Sequence, residues 1–357
     1  MKKKYSIYIV LFLSFCLFSF PKESLADDSS NLGYTVSAVL NGKQIDPGKS
    51  YFYVQTQPNE EQVLKVKVKS TQKEPIKLKI YATNAFTGDG GTIEYTEDKK
   101  LLDSTLTQPI GDILKVETPS LTVENYDEKE ATFKLTPPKE SYDGVKMGAL
   151  VFEIDDSDSK EQVSSKFSYR IGLITSESGD DYKDSKTLNL IDAKSTIKRG
   201  KKMILTTLQN PEPKILSNLE LTAEVRQKGS DTVLKKKAVE DYMLAPNSHF
   251  DFEMDWGTEA VRAGTYVVTI TATNGYDDWK FEKELTITGE QAKKMNDESS
   301  FKIITPTWLK IVTVVIFLLT VLITVTLVVR RKKLEGRWKK LRKKRKGRKI
   351  KKKKEGH

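Results

Sequence analysis

The sequence predicts an all-β fold: two tandem Ig-like antiparallel β-sandwich domains followed by a single transmembrane helix. Three observations predict it. Apolar and polar residues alternate with period two through most of the chain, a pattern that gives each strand one buried and one wet face. Turn residues interrupt the alternation at short intervals. Nineteen uninterrupted apolar or threonine residues, Ile311 to Val329, then run into a strongly basic end.

The chain begins with a basic start (Lys2, Lys3, Lys4), an apolar core from Tyr5 to Phe20, and Ser24-Leu25-Ala26, which carries small residues where a signal peptidase reads them. Residues 1–26 are therefore expected to be a signal peptide, cut before Asp27. Phe15 stands before Cys16 where lipoprotein processing wants a small residue, so lipidation is not expected. Cys16 is the single cysteine. The exported chain would hold no disulfide, and its domains must rest on hydrophobic cores alone.

The first sandwich is expected over residues 30–174. Leu64-Lys65-Val66-Lys67-Val68-Lys69 puts its apolar residues on one face and its lysines on the other, and Ile76-Lys77-Leu78-Lys79-Ile80 repeats the pattern. Ala131, Phe133 and Leu135 alternate with Thr132 and Lys134. Asn41-Gly42, Asp46-Pro47-Gly48, Gly88-Asp89-Gly90-Gly91 and Pro137-Pro138 are turns. Asp155 to Lys160 reads as a hairpin tip joining residues 149–154 to 167–171, which leaves Ser176 to Lys186 as the linker.

The second sandwich is expected over residues 187–289. Its inward rows are Leu219, Leu221, Ala223 and Val225; Phe250, Phe252, Met254 and Trp256; Tyr266, Val268, Ile270 and Ala272; and Trp279, Phe281, Leu285 and Ile287. Residues 290–306, polar with room for a short helix, are expected to be a stalk, with 308–330 the membrane helix. A helix through the apolar run is roughly 28 Å long, the thickness of a bilayer core.

The net charge of +11 conceals an uneven distribution. Residues 331–357 are expected to be a cytoplasmic basic tail, since the stretch from Arg330 onward carries eighteen Lys and Arg against Glu335 and Glu355. That stretch contributes +16 and the signal peptide +3, leaving −8 for residues 27–329. Beside a membrane span, Arg342-Lys343-Lys344-Arg345-Lys346 reads as a topology signal that contacts anionic lipid rather than nucleic acid.

Reaction signatures are missing. Of two histidines, His357 ends the chain and His249 sits at a strand start, where a turn or edge role is expected. No His-Glu-x-x-His or Gly-x-Ser-x-Gly occurs. Ser-x-x-Lys recurs at Ser70/Lys73, Ser157/Lys160, Ser195/Lys198 and Ser299/Lys302, a chance product of a lysine-rich chain without the Lys-Thr-Gly or Ser-Asp-Asn that would accompany it. Asp155, Asp156 and Asp158 lack the fixed Gly and closing Glu of a calcium loop. No enzyme, metal or cofactor is expected. Tyr51, Tyr53, Tyr276 and Trp279 could stack on sugars or pack within a sandwich, and ligand-binding residues stay unassigned.

Together these segments resemble the WxL-interacting proteins of Gram-positive bacteria. In the first half the likeness lies in Ser50-Tyr51-Phe52-Tyr53-Val54, Thr83-Asn84-Ala85-Phe86-Thr87, Gly91-Thr92-Ile93-Glu94-Tyr95 and Tyr142 to Leu150. In the second it lies in Leu208-Gln209-Asn210-Pro211-Glu212-Pro213, Leu244 to Phe252, Ala263-Gly264-Thr265-Tyr266 and Trp279-Lys280-Phe281. The resemblance implies a peptidoglycan-binding first domain ending near 155 and a host-binding second domain starting near 163. It also implies WxL-domain surface proteins and host extracellular components as partners. Trp256, Trp279, Trp308 and Trp338 are followed two residues on by Thr, Phe, Lys and Lys, so the chain itself carries no Trp-x-Leu. The expectation is a single-pass cell-membrane scaffold whose domains face the wall. The alternative is an Ig-like surface assembly chaperone that binds exported clients by strand addition.

Overall fold

The computed structural model of the chain describes residues 32–155, 167–301 and 306–354. The expected signal peptide, most of the hairpin tip with Asp156, Ser157, Asp158 and Lys160, and Lys302 and His357 lie outside the described residues.

The first sandwich faces two sheets. One has the order β1 (Tyr34–Val39), β3 (Gln62–Ser70), β8 (Glu128–Leu135), β6 (Leu114–Val116). The other has the order β2 (Phe52–Gln55), β10 (Ser168–Ser176), β9 (Val145–Ile154), β4 (Ile76–Thr87), β5 (Ile93–Thr96), with β7 (Ser120–Val123) also paired to β4. All neighbours are antiparallel except β2, which runs parallel to β10. The alternating residues point inward as the pattern requires: Leu64, Val66, Val68, Leu78, Phe133 and Leu135 are all buried. Tyr34 donates its hydroxyl to the Phe152 carbonyl at 2.6 Å, and burial pushes its pKa up to about 12. A single helical turn, α1 (Ile110–Ile113), closes one end with Ile110 and Ile113.

β9 and β10 pair in register from Val145↔Ser176 to Glu153↔Ser168, so both belong to one sheet. Every residue of β9 from Val145 to Phe152 is buried, because the second sandwich covers part of its outer face.

The second sandwich faces β11 (Asn189–Lys198), β12 (Lys201–Asn210) and β15 (Ser248–Asp255) against β14 (Val233–Leu244), β13 (Leu216–Gln227), β16 (Gly264–Thr273) and β17 (Asp278–Ile287), in those orders. Its core takes Leu219, Leu221, Val225, Phe250, Phe252, Met254, Val268 and Ile270, the inward rows of the sequence. Trp256 meets Tyr266 edge-on, with ring centroids 5.5 Å apart.

Two connecting segments are well ordered. The segment beginning at 290 opens with the short helix that its sequence allows, α2 (Gly289–Glu298), whose Ala292 and Met295, three residues apart on one face, are buried in the second core. Thr288 and Gln291 form a reciprocal cap, Gln291 N donating to Thr288 Oγ1 at 3.2 Å and Thr288 N to Gln291 Oε1 at 2.9 Å. The expected linker is also tied down. Ile215 N donates to the Tyr182 carbonyl at 2.6 Å and Ser185 N to the Ile215 carbonyl at 3.2 Å.

A third apolar cluster joins the sandwiches: Tyr53, Ala85, Val145, Met147 and Ile174 meet Ile215 and Ala245. Backbone bonds accompany it, from Val145 N to Pro213 O and from Met243 N to Gly91 O, both 2.8 Å.

α3 (Thr307–Lys354) is described separately from the sandwiches. Residues Thr307–Lys339 are long and apolar enough to cross a membrane, and their described side chains are exposed. Thr313, Thr320 and Thr324 return their hydroxyls to the carbonyl four residues back at 2.8 Å. That satisfies each hydroxyl within its own helix, as a hydrocarbon surrounding requires.

Candidate functional site

The outer face of the β2-β10-β9-β4-β5 sheet is built from small residues at its centre. Gly172 on β10 stands opposite Ala149 on β9, which in turn pairs with Thr83 on β4. Larger residues stand around them. Tyr95 rises from β5, Tyr51 from the approach to β2, and Tyr182 from the connection between the sandwiches. The result is a cleft of about 210 Å³ floored by Gly172 and Ile174 and walled by the three tyrosines, with Lys183 and Ile215 at the junction side.

Burial keeps the Tyr95 and Tyr182 hydroxyls neutral hydrogen-bonding groups. Burial raises the pKa of Tyr182, and its contact with the Tyr51 hydroxyl at 3.3 Å adds to the rise. Burial likewise raises Tyr95, with Tyr51 adding and Arg170 opposing. The Tyr95 hydroxyl makes no hydrogen bond among the described residues. Arg170 lies two residues before Gly172 on the same face of β10. Neither Arg170 nor Lys183 has an ion-pair partner among the described residues, and both stand exposed at the cleft's surroundings.

A second, polar hollow of about 410 Å³ lies beyond Lys183, which lines both. Asp181, Asp184, Asn218, Asn274 and Asp277 surround it, and Tyr276 stands there 94% exposed.

The structure sorts the sequence candidates. Tyr51 lines the cleft, whereas Tyr53 is buried at the junction and donates to the Asp180 carbonyl at 3.1 Å. Trp279 packs against the second core. His249 Nδ1 lies 2.7 Å from Asp103 Oδ2, a link between the sandwiches. Asp103 also accepts from Thr105 N and Oγ1 and from Gln209 Nε2. Burial pushes the Asp103 carboxyl up, but the bonds from Thr105, Gln209 and His249 outweigh it and hold the pKa below the usual carboxylate range.

The remaining candidates are structural. Gly88 to Gly91 is a turn closed by Gly91 N to Gly88 O at 2.9 Å, and Asp89 pairs with Lys198 at 2.5 Å. Ser70 Oγ donates to the Gln72 carbonyl, and Asp155 pairs with Lys77. Among the described residues no group of three or more His, Cys, Asp or Glu could hold a metal. Tyr95, Tyr182, Arg170 and Asp103 were not singled out by the sequence as site residues, because their neighbours come from distant segments. The run Gly91 to Tyr95 and the lone Arg170 within an alternating strand were the available signals.

Comparison with known proteins gives a consistent assignment. The WxL Interacting Protein peptidoglycan binding domain matches residues 34–154, and the WxL Interacting Protein host binding domain matches residues 158–297. Their boundary falls between β9 and β10, although those strands share a sheet. No curated protein matches the chain. Among solved structures, the YadV chaperone is 11% identical over 71% of this chain and 100% of its own, at a TM-score of 0.28. The class 5 fimbriae chaperone CfaA is 14% identical over 70% and 99%, at 0.27. The Pseudomonas aeruginosa CupB2 chaperone is 16% identical over 63% and 91%, at 0.25. Scores this low establish no shared topology. The two adjacent domain matches cover most of the chain and fall on two packed sandwiches, and the chain belongs to the WxL-interacting protein family, whose domains bind peptidoglycan and host components at the cell surface.

Proposed function

We propose that this protein is a membrane-anchored scaffold that holds wall polymer and WxL-domain proteins near the membrane and presents its second sandwich to host extracellular components. It works by binding, without a catalysed reaction. The first sandwich contacts peptidoglycan, α3 is the single-pass anchor, and the basic tail lies on the cytoplasmic side against anionic lipid. The signal peptide is residues 1–26, and the domains face the wall.

The observation that carries this reading is the order along the chain: a peptidoglycan-binding match, a host-binding match, then an apolar helix with exposed side chains. The chaperone alternative needs an open sheet edge, and the long edge strand β14 is poorly suited to it. Lys235 and Lys237, in register with the buried Val225 and Ala223, point inward on that edge. Their ammonium groups lie 5.7 Å from the Trp256 ring and 4.5 Å from the Phe252 ring. Inward charges on an edge discourage pairing with another strand.

Fractionation of cells tests the anchor. The full chain is expected with the membranes, and a chain ending at residue 300 is expected in the medium. A truncated chain that stayed with the membranes would remove α3 from the account.

A further inference from the structure

We propose that the tyrosine-lined cleft is a saccharide site selective for a muramyl-type unit, an amino sugar whose lactyl-peptide arm carries a carboxylate, rather than for a neutral amino sugar. The proposal rests on the peptidoglycan reading and assigns it a place and a chemical preference.

Four features support the assignment. First, the cleft is small. Its volume of about 210 Å³ lies below the roughly 300–1,000 Å³ of sites for drug-sized ligands, so it suits about one ring of a polymer. Second, its walls are aromatic and its floor is a glycine. Sugar rings present C–H faces that pack on aromatic rings and hydroxyls that bond to phenols. Tyr51, Tyr95 and Tyr182 offer both, and the Tyr95 hydroxyl has no bond within the described protein to give up.

Third, the charge is out of keeping with the surroundings. Residues 27–329 carry a net −8, yet the cations nearest the cleft, Arg170 and Lys183, make no ion pair among the described residues. Cations left unpaired in an acidic protein fit an anionic group on the ligand, and an arginine fork fits a carboxylate best. Fourth, the site is composite. Lys183 and Ile215 come from beyond β10, so both packed sandwiches complete the cleft.

The test uses the full chain in non-ionic detergent, with high salt added only in the sedimentation, to screen the basic tail. Muramyl dipeptide and an N-acetylglucosamine oligomer serve as probes in titration calorimetry, and purified peptidoglycan is the polymer in sedimentation. Three variants are compared with the natural chain: Tyr95→Ala, Gly172→Val and Arg170→Gln. Gly172 is in extended backbone at a strand position, so valine fills the floor without straining the chain. A thermal melt of each variant establishes folding, and Gly172→Val and Arg170→Gln keep the test intact if Tyr95→Ala unfolds.

Tyr95→Ala and Gly172→Val are expected to weaken muramyl dipeptide binding about tenfold. Arg170→Gln is expected to weaken it about fivefold while leaving the neutral oligomer unchanged. Folded variants that bind peptidoglycan and muramyl dipeptide as the natural chain does overturn the site and leave the peptidoglycan reading standing. Equal affinity for the two probes, insensitive to Arg170→Gln, overturns the carboxylate preference. A natural chain that binds no peptidoglycan removes the reading beneath both.

Discussion

Gly144→Ala is expected to destabilise the chain by about 3 kcal/mol or more and to loosen the packing between the sandwiches. Gly144 has φ +67, a left-handed conformation that costs an L-residue roughly 1–2 kcal/mol. The added Cβ would lie 2.3 Å from the Pro213 carbonyl oxygen, a backbone atom that cannot swing aside as a side chain could. The neighbouring bond from Val145 N to Pro213 O, 2.8 Å, would break as the two strands separate. Ile215 follows Pro213 by two residues and lines the cleft, so the disturbance extends to the site. A fall in melting temperature of about 6 °C or more is expected, with faster proteolysis between residues 177 and 188. A variant that melts like the natural chain would contradict the packing of Gly144 against Pro213.

Asp103→Ala is the second large effect. Asp103 is 6% exposed and gathers Thr105, Gln209 and His249, the latter two from the second sandwich. Alanine leaves these donors facing a void, at a cost of about 3 kcal/mol. The effect also has a pH signature. The folded carboxyl has a lowered pKa, so its contribution is present above the unfolded pKa and lost as pH falls through the folded value. The natural chain should therefore lose stability on acidification below about pH 4, and the variant should lose less there. Melts recorded from neutral to acid pH decide this. Parallel curves for the two proteins would mean that Asp103 is not the acid-labile link.

The strands were legible because one physical rule controls them. Where one face is buried and the other wet, period-two alternation is obligatory, and β3 and β15 show it residue by residue. β9 was harder to place: with both faces covered, Val145 to Phe152 has no wet side to mark the alternation. α2 carried its own signal in Thr288 and Gln291, but ten polar-rich residues before a membrane helix look like a stalk until the core beneath Ala292 and Met295 is seen. The junction was the least legible. Gly91 reads as one glycine of a turn, yet any Cβ there would lie 2.0 Å from the Tyr242 ring. That constraint depends on a residue 151 positions away, which local pattern does not encode. The cleft follows the same logic, since Tyr51, Tyr95 and Tyr182 come from three segments far apart in the sequence.

Sedimentation of the full chain with purified peptidoglycan tests the central claim most directly. The experiment is run in non-ionic detergent and repeated in high salt, because the basic tail would bind an anionic polymer through screened charge alone. Saturable sedimentation that persists in high salt is the predicted result. A chain that stays in the supernatant, or sediments only at low salt, would contradict the account of this protein as a wall-binding scaffold.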